Sequence, residues 1–456
     1  MSEEPAGAIE PAAPIAAARA RRAPGHLLRV LGIAFGLAII IGNTIGQGIL
    51  RTPGEIAARL PTPALFLGVW VAGGLYALLG AISLSELGAM IPRSGGQYVF
   101  VRRGIGEYAA FVVGWSDWLS TCGSASLVAI VIGQYSAALF PALRGRVTWV
   151  AVGVIVVFAL LQWRGVRWGD RAQQVTSLLK ALALVALVAA CVLLAPPRAA
   201  AVVPAAPVGL GLFAAIVVSL QAVIFTYDGW DAVIYFSEEV RDPGRDIPRS
   251  MFVGVAAVIA IYLSLNLAFL HVLPMGRIAG EPFVAGAAAA ALFGPRGDTV
   301  IRAMMIVALL SSVNALQLMA SRVPLAMSRD RLLPAFVSRV NAGGTPTGAL
   351  LAGSLVMIAF IVSGTYDQVL ALLAFFFVLD YLLSFTTVFR LRRREPDAPR
   401  PYRAWGYPYT TAIALAGSLA VLVGAVFGDR ANSVRSIVLL AASWPVFALS
   451  RRAGAR

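Results

Sequence analysis

The chain has 456 residues, of which 59% are hydrophobic and only 13% charged, with a mean hydropathy of +0.81. A water-soluble domain carries about a quarter charged residues, so this composition excludes one and points to a polytopic membrane protein. The formal charge of +15 invites a nucleic-acid reading, which the placement of the arginines removes.

Residues 1–28 form an Ala/Pro-rich stretch that runs into Arg19, Arg21 and Arg22 without a small-residue cleavage site. The expectation is a disordered cytoplasmic tail and not a signal peptide. Apolar runs of the length that spans a bilayer as helix then recur to the C-terminus. Twelve are predicted: 29–52, 62–88, 107–138, 147–163, 172–195, 210–238, 249–272, 299–326, 346–363, 367–390, 405–427 and 434–450. With the N-terminus inside, the segments on that side hold 26 arginines and the opposite segments 10. This bias is the positive-inside rule; it orients the chain with both termini cytoplasmic and requires no nucleic acid.

The first span contains Gly42, Gly46 and Gly48 within seven residues, each weakening a helix by about 1 kcal/mol relative to alanine. Close helix packing through small residues is one explanation. A second interruption follows in the sixth span, where Gly229 sits between Asp228 and Asp231. The two breaks are roughly 180 residues apart, and later spans repeat at a similar offset, as in two five-helix repeats that each begin with a broken helix. Lipid cannot satisfy the backbone groups that a break exposes. The N–H groups of Gly46, Gln47 and Gly48, at the positive end of a half-helix, suit a carboxylate. The carbonyls around Ile41 and Gly42, and around Phe225 and Thr226, suit an ammonium. Together they fit the backbone end of a zwitterionic amino acid.

Lys180 is the only lysine among 37 basic residues, and it lies on an apolar run. A lysine at that depth faces a cavity, a partner or a transport path, and burial favours loss of its proton. Asp117 on the third span enters at comparable depth and is a candidate partner; the alternative is that it faces a polar crevice alone. Asp228 either holds a substrate ammonium or, with Asp231, caps the second half of the broken sixth helix. Asp380 is expected in a water-filled crevice. Glu86, Glu238 and Glu239 sit among arginines at cytoplasmic ends, as ion pairs that hold one conformation. Tyr227, beside the break, is either packing or a gate. Cys122 and Cys191 read as small packing residues, and His26 and His271 form no ligand cluster.

Six segments carry a resemblance: Ile45-Gly-Gln-Gly-Ile-Leu50, Glu86-Leu-Gly-Ala-Met-Ile-Pro-Arg-Ser-Gly-Gly-Gln-Tyr98, Tyr227-Asp-Gly-Trp-Asp231, Glu238-Glu-Val-Arg-Asp-Pro-Gly-Arg-Asp-Ile-Pro-Arg249, Ser321-Arg-Val-Pro-Leu-Ala-Met-Ser-Arg-Asp330 and Arg400-Pro-Tyr-Arg-Ala-Trp-Gly-Tyr-Pro408. In these the chain resembles the amino acid–polyamine–organocation superfamily, especially its bacterial L-type-like amino acid permeases. The resemblance implies an all-α integral membrane fold of the LeuT type: one repeat over 29–195, an inverted repeat over 210–390, and two extra helices over 405–450. It places substrate between broken helices 1 and 6, at Gly42, Gly46, Gln47, Gly48, Phe225, Thr226, Tyr227, Asp228 and Gly229. It also implies that Lys180 takes the place of a structural sodium and reaches carbonyls of the first break and the hydroxyl of Ser311 or Ser312. One departure is Gln47, where the family usually has a small residue; it bears on which substrate is accepted.

The expectation is therefore a secondary transporter that moves amino acids across a bacterial inner membrane by alternating access. It would be sodium-independent and run by proton-coupled symport or exchange, with Lys180, Asp117, Ser311 and Ser312 as coupling residues. An amine or polyamine carrier of the same fold, or a non-transporting amino-acid sensor, is the alternative. No nucleophile–base pair or metal-ligand spacing appears, so neither an enzyme nor a cofactor is expected. No obligatory partner subunit is inferred.

Overall fold

The computed structural model describes residues 27–46, 48–195, 209–363, 366–428 and 430–454. Residues 1–26 of the expected tail and Gln47 lie outside them, whereas Leu27 is buried against Leu325 and Val340. The described chain is built from helices: α1 (Ile33–Thr44), α2 (Gly48–Arg59), α3 (Pro63–Met90), α4 (Gln97–Gly104), α5 (Glu107–Leu139), α6 (Val147–Trp163) and α7 (Val166–Leu194). After these come α8 (Gly209–Tyr227), α9 (Pro243–Val272), α10 (Met275–Ile278), α11 (Val284–Phe293), α12 (Gly297–Ala320) and α13 (Arg322–Arg329). The chain ends with α14 (Thr347–Ser363), α15 (Tyr366–Arg394), α16 (Tyr409–Gly428), α17 (Arg430–Ala441) and α18 (Ser443–Gly454). Among the described residues β-pairing is confined to isolated bridges, Leu31 with Val240 and Val340 with Pro346. A bilayer interior leaves helices as the way to satisfy backbone groups within one segment.

Each of the twelve expected apolar runs overlaps a helix. Among the described residues seven helical stretches are long and apolar enough to cross a bilayer, or eight if α1 and α2, at 46° to each other, form one broken span. Shorter apolar helices make up the rest, among them Val147–Trp163 and Thr347–Ser363.

The side chains of α7 show how the sequence pattern sets its packing. Gln173, Ser177, Lys180, Leu184, Leu187 and Cys191 are buried, each three or four residues after the last. The intervening Val175, Leu178, Leu179, Leu182 and Val185 are all exposed. A helix that buries its polar stripe and exposes leucine is suited to lipid and not to water.

Packing follows a paired scheme. α3 lies against α9 and α5 against α12; α1 packs on α9 as α8 packs on α3; α7 packs on α12 as α15 packs on α5. These contacts wrap the helices around the points where α1 and α8 end.

Candidate functional site

The first break begins where α1 stops at Thr44. Ile45 N–H still bonds the Ile41 carbonyl at 3.1 Å, but Gly46 N–H turns back to the Thr44 carbonyl at 2.9 Å. A continuous helix would have used that N–H to satisfy the Gly42 carbonyl. The Gly42 carbonyl instead accepts from Lys180 Nζ at 2.9 Å and from Ser312 Oγ at 2.8 Å. Lys180 Nζ also donates to the Ile45 carbonyl at 2.5 Å and to Ser312 Oγ at 2.8 Å. The ammonium thus places all three of its N–H bonds, and its side chain is fully buried. Of the three N–H groups expected to be open at this end, that of Gly46 is engaged, and Gln47 lies outside the described residues. Gly48 lines a cavity.

The structure separates alternatives that the sequence leaves open. Lys180 does not meet Asp117, whose carboxylate accepts from Tyr235 Oη at 2.8 Å and Thr121 Oγ1 at 3.3 Å; the ammonium is drawn to the helix 1 carbonyls. Ser311 lies one layer away from Lys180. It bonds Ser177 Oγ at 2.8 Å and accepts from Gln173 Nε2 at 3.2 Å. Gly42 faces this layer and not the cavity: a Cβ there would sit 1.8 Å from Gln173 Nε2. Asn314 Nδ2 donates to Gln173 Oε1 at 2.8 Å, and Gln162 Nε2 to Asn314 Oδ1 at 3.0 Å, so a polar seam joins α1, α6, α7 and α12.

The second break follows α8. Asp228 N–H bonds the Phe225 carbonyl at 3.2 Å, and Gly229 adopts φ +101°, a conformation open mainly to glycine. A Cβ on Gly229 would lie 2.4 Å from Asn43 Nδ2, so the two breaks touch. The chain resumes as a 3-10 turn, Ala232–Phe236, with no side-chain cap from Asp231. Of the two roles open to Asp228 and Asp231, capping of this turn by the Asp231 side chain is not the one found. Asp231 accepts from Gln97 Nε2 at 2.8 Å, and Asp228 from Tyr381 Oη at 2.6 Å. Tyr262 Oη lies 2.7 Å from the Thr44 carbonyl and 3.0 Å from the Thr226 carbonyl, one hydroxyl shared between the breaks. The carbonyls of Phe225 and Thr226, expected to be open to an ammonium, thus have partners. Tyr227 points away from the cavity into an aromatic group, 4.9 Å from Tyr262 and 6.2 Å from Trp70 between ring centroids. Its position on α8 directs it at α3 and α9, so it is packing.

Between the breaks lies a partly open cavity with about 100 Å³ of space accessible to water. Thr44, Gly46, Gly48, Phe225, Thr226, Asp228, Gly229, Asp117 and Ser312 line it. So do Gln97, Asp231, Tyr235, Asp380 and Tyr381, which the sequence did not single out as substrate contacts. Gln97, Tyr235 and Tyr381 share a role: each donates to, or lies beside, a buried carboxylate, and only the tertiary fold brings them there. Asp380 accepts from Ser116 Oγ at 2.8 Å.

The end of the bundle at which α1 begins is closed by polar locks. Arg322 Nε and Nη2 donate to the two oxygens of Glu239, both at 3.0 Å, with the arginine 1% and the glutamate 0% exposed. Burial pushes the Glu239 carboxyl above the usual carboxylate range, and the guanidinium opposes that rise. Leu31 N–H donates to the Glu239 carbonyl at 2.9 Å, and Phe35 meets Phe236 edge-on at 4.9 Å. Glu238 pairs with Arg329 at 2.7 Å. Glu86 receives Arg392, Arg400 and the Ala404 N–H.

A multi-span helical bundle with a central cavity between two helix breaks is an architecture suited to passing a solute across a membrane. The chain belongs to the Amino acid permease family, whose profile matches residues 27–448. It is 29% identical to the serine/threonine exchanger SteT of Bacillus subtilis over 92% of this chain and 96% of that protein. It is 27% identical to the large neutral amino acids transporter small subunit 2 of Mus musculus, over 83% and 73% of the two chains. Likeness to the mouse b(0,+)-type amino acid transporter 1 is 24% over 83% and 79%. The chain is thus an amino acid permease and not an enzyme.

Proposed function

We propose that this permease is a secondary transporter that moves an amino acid by alternating access without sodium, through proton coupling or counter-exchange. The observation that carries the reading is the Lys180 ammonium, bonded to Gly42 O, Ile45 O and Ser312 Oγ. Three oxygens around one positive charge at a helix break form a monovalent-cation site filled by a side chain. A bound sodium has no place there while the lysine stays. The paired packing supports two inverted repeats over 29–195 and 210–390, because exchanging each span for the one five later turns each contact into another. Helices over 405–450 complete twelve spans, with both termini cytoplasmic in a bacterial inner membrane and the closed end of the cavity facing the cytoplasm.

The likeness to a serine/threonine exchanger favours the exchange form, with Lys180 as a fixed tether. Uptake of a labelled amino-acid mixture into proteoliposomes, empty or preloaded with amino acids, under an inward proton gradient tests it. Uptake confined to loaded vesicles establishes exchange; accumulation in empty ones establishes symport. In the symport case Lys180→Ala abolishes the pH dependence of uptake, and an unchanged profile removes the proton role from Lys180. Binding without flux in either vesicle would overturn transport altogether.

A further inference from the structure

The polar seam beside the first break runs in one direction. Gln162, Asn314 and Gln173 come from three different helices, and all three are fully buried. Each donates to the next: Gln162 Nε2 to Asn314 Oδ1 at 3.0 Å, and Asn314 Nδ2 to Gln173 Oε1 at 2.8 Å. Gln173 Nε2 ends the line on α1, 3.1 Å from the Ala38 carbonyl, which also accepts from Ser177 Oγ at 2.7 Å. Ala38 and Gly42 are about one turn apart, so side chains of α7 and α12 grip α1 at two successive turns up to its break. The other end of the line reaches the segment before α14. Thr345 Oγ1 donates to the Gln162 carbonyl at 2.7 Å, and a Cβ on Gly344 would lie 2.8 Å from Leu28 Cγ, just ahead of α1. The line thus meets the chain before α1 and again at the last turns of α1. Each amide satisfies its neighbour, so parting any one of them strands a buried polar group.

We infer that Gln173 and Asn314 are positioning residues for transport: they hold α1 against α7 and α12, and so set how readily the cavity opens at the end where α1 begins. The inference rests on the alternating-access reading and adds the residues that set its balance. The ion pairs at that end, Glu239 with Arg322 and Glu238 with Arg329, join the segment after the second break to α13. They do not hold α1, which has no charged residue and offers a partner mainly its carbonyls. Amides suit that task, because they bind a carbonyl without bringing a charge into the bundle. Lys180 and Ser312 hold the break itself. A helix that swings about its break moves little at Gly42 and more at Ala38, so the Lys180 bonds persist while the Gln173 bond parts.

The test reads opening at each end of the bundle separately. Ser237→Cys puts a thiol at a buried position beside the Phe236 and Glu239 contacts, and Ser136→Cys puts one at a buried position near the far end of α5. Maleimide labelling of the purified full chain in detergent is measured for both, with the chain carrying only Cys122 and Cys191 as background. Gln173→Met and Asn314→Leu each keep apolar bulk and remove the amide. Each is expected to speed labelling of Ser237→Cys about fivefold, the worth of one buried hydrogen bond, with no rise in Ser136→Cys. The double variant is expected to match the single ones, because both cut the same line. An unchanged rate in Ser237→Cys overturns the inference. Equal rises at the two ends report general loosening and overturn it as well. Should the amide variants fail to fold, Thr345→Val, close in shape, cuts the line at its other end: a rise in Ser237→Cys alone supports the inference, and no rise overturns it. Exchange of the labelled amino-acid mixture in proteoliposomes runs alongside. Normal exchange without selective labelling removes the positioning role and leaves transport standing. Selective labelling, with no exchange by the unmodified protein, removes transport and leaves the hold on α1 standing.

Discussion

Glu239 and Arg322 form a two-pronged ion pair that is entirely shielded from solvent, with both N–O distances at 3.0 Å. Arg322 also donates to the Leu318 carbonyl and Ser321 Oγ, at 3.0 and 2.7 Å, and its guanidinium lies over the Phe236 ring at 4.7 Å. Every charge-bearing atom is therefore compensated, and the pair joins the segment after the second break to the junction of α12 and α13. Removing one partner strands the other. Glu239→Ala and Arg322→Ala are each expected to destabilise by about 3–5 kcal/mol. The double variant should lose much less than the sum. Thermal unfolding of the purified protein in detergent checks the cycle, and strict additivity would show that the pair carries no coupling.

Glu86 is a second lock at the same end of the bundle. Its oxygens lie 2.7 and 2.6 Å from Arg392, 3.2 Å from Arg400 and 2.7 Å from the Ala404 N–H, so α3 is tied to the end of α15 and to the segment leading into α16. Glu86→Gln keeps the shape but loses the charge against two arginines. Each charged hydrogen bond contributes about 1.5–3 kcal/mol, and a loss in that range is expected. The measurement is the melting temperature, with faster proteolysis of the 395–408 segment as a local readout.

Gly42 packs where no side chain fits. A Cβ would lie 1.8 Å from Gln173 Nε2, 2.8 Å from Ser311 Oγ and 2.9 Å from Ser177 Oγ. Gly42→Ala should displace Gln173 from the Ala38 carbonyl and from Ser177, at a cost of about 1–3 kcal/mol, and uptake should fall with it. Gly48→Ala meets only the methyl of Thr226 below 3.0 Å, so Thr226→Ser in the same chain should restore part of the loss. Failure of that rescue would show that Gly48 is needed for more than space.

Lys180→Met retains length and apolar bulk while removing three donors. The Ile45 carbonyl is then left with Ser312 Oγ alone, at 3.4 Å, at a cost of about 1–3 kcal/mol for an unsatisfied buried acceptor. Lys180→Arg is not a conservative exchange, since a planar fork does not fit where a compact ammonium meets three convergent oxygens. Both variants are expected to lose uptake, and arginine should not outperform methionine. Substantial uptake by Lys180→Arg would show that charge alone matters.

What was legible in the sequence were features that depend on local chemistry. Length and apolarity mark spans, glycines mark breaks, arginine bias marks sides, and the spacing of Gln173, Ser177 and Lys180 marks one face of α7. The lysine was conspicuous because nothing else on its helix is charged at that depth. Sequence spacing could not say which distant groups share a layer. Depth alone leaves Asp117 open as a partner for Lys180, whereas the rotation of α7 in the packed bundle turns Lys180 to the carbonyls that α1 gives up at its end. The sequence leaves Asp228 and Asp231 open between holding an ammonium and capping a half-helix. In the fold the chain resumes as a 3-10 turn that Asp231 does not cap, and the two carboxylates accept from Tyr381 and Gln97. The acidity of the cavity was likewise hidden, because Asp117, Asp228, Asp231 and Asp380 come from three separate stretches of chain. Local pattern determines which segments are helical and which are interrupted; the facing of each side chain is settled only when the helices pack.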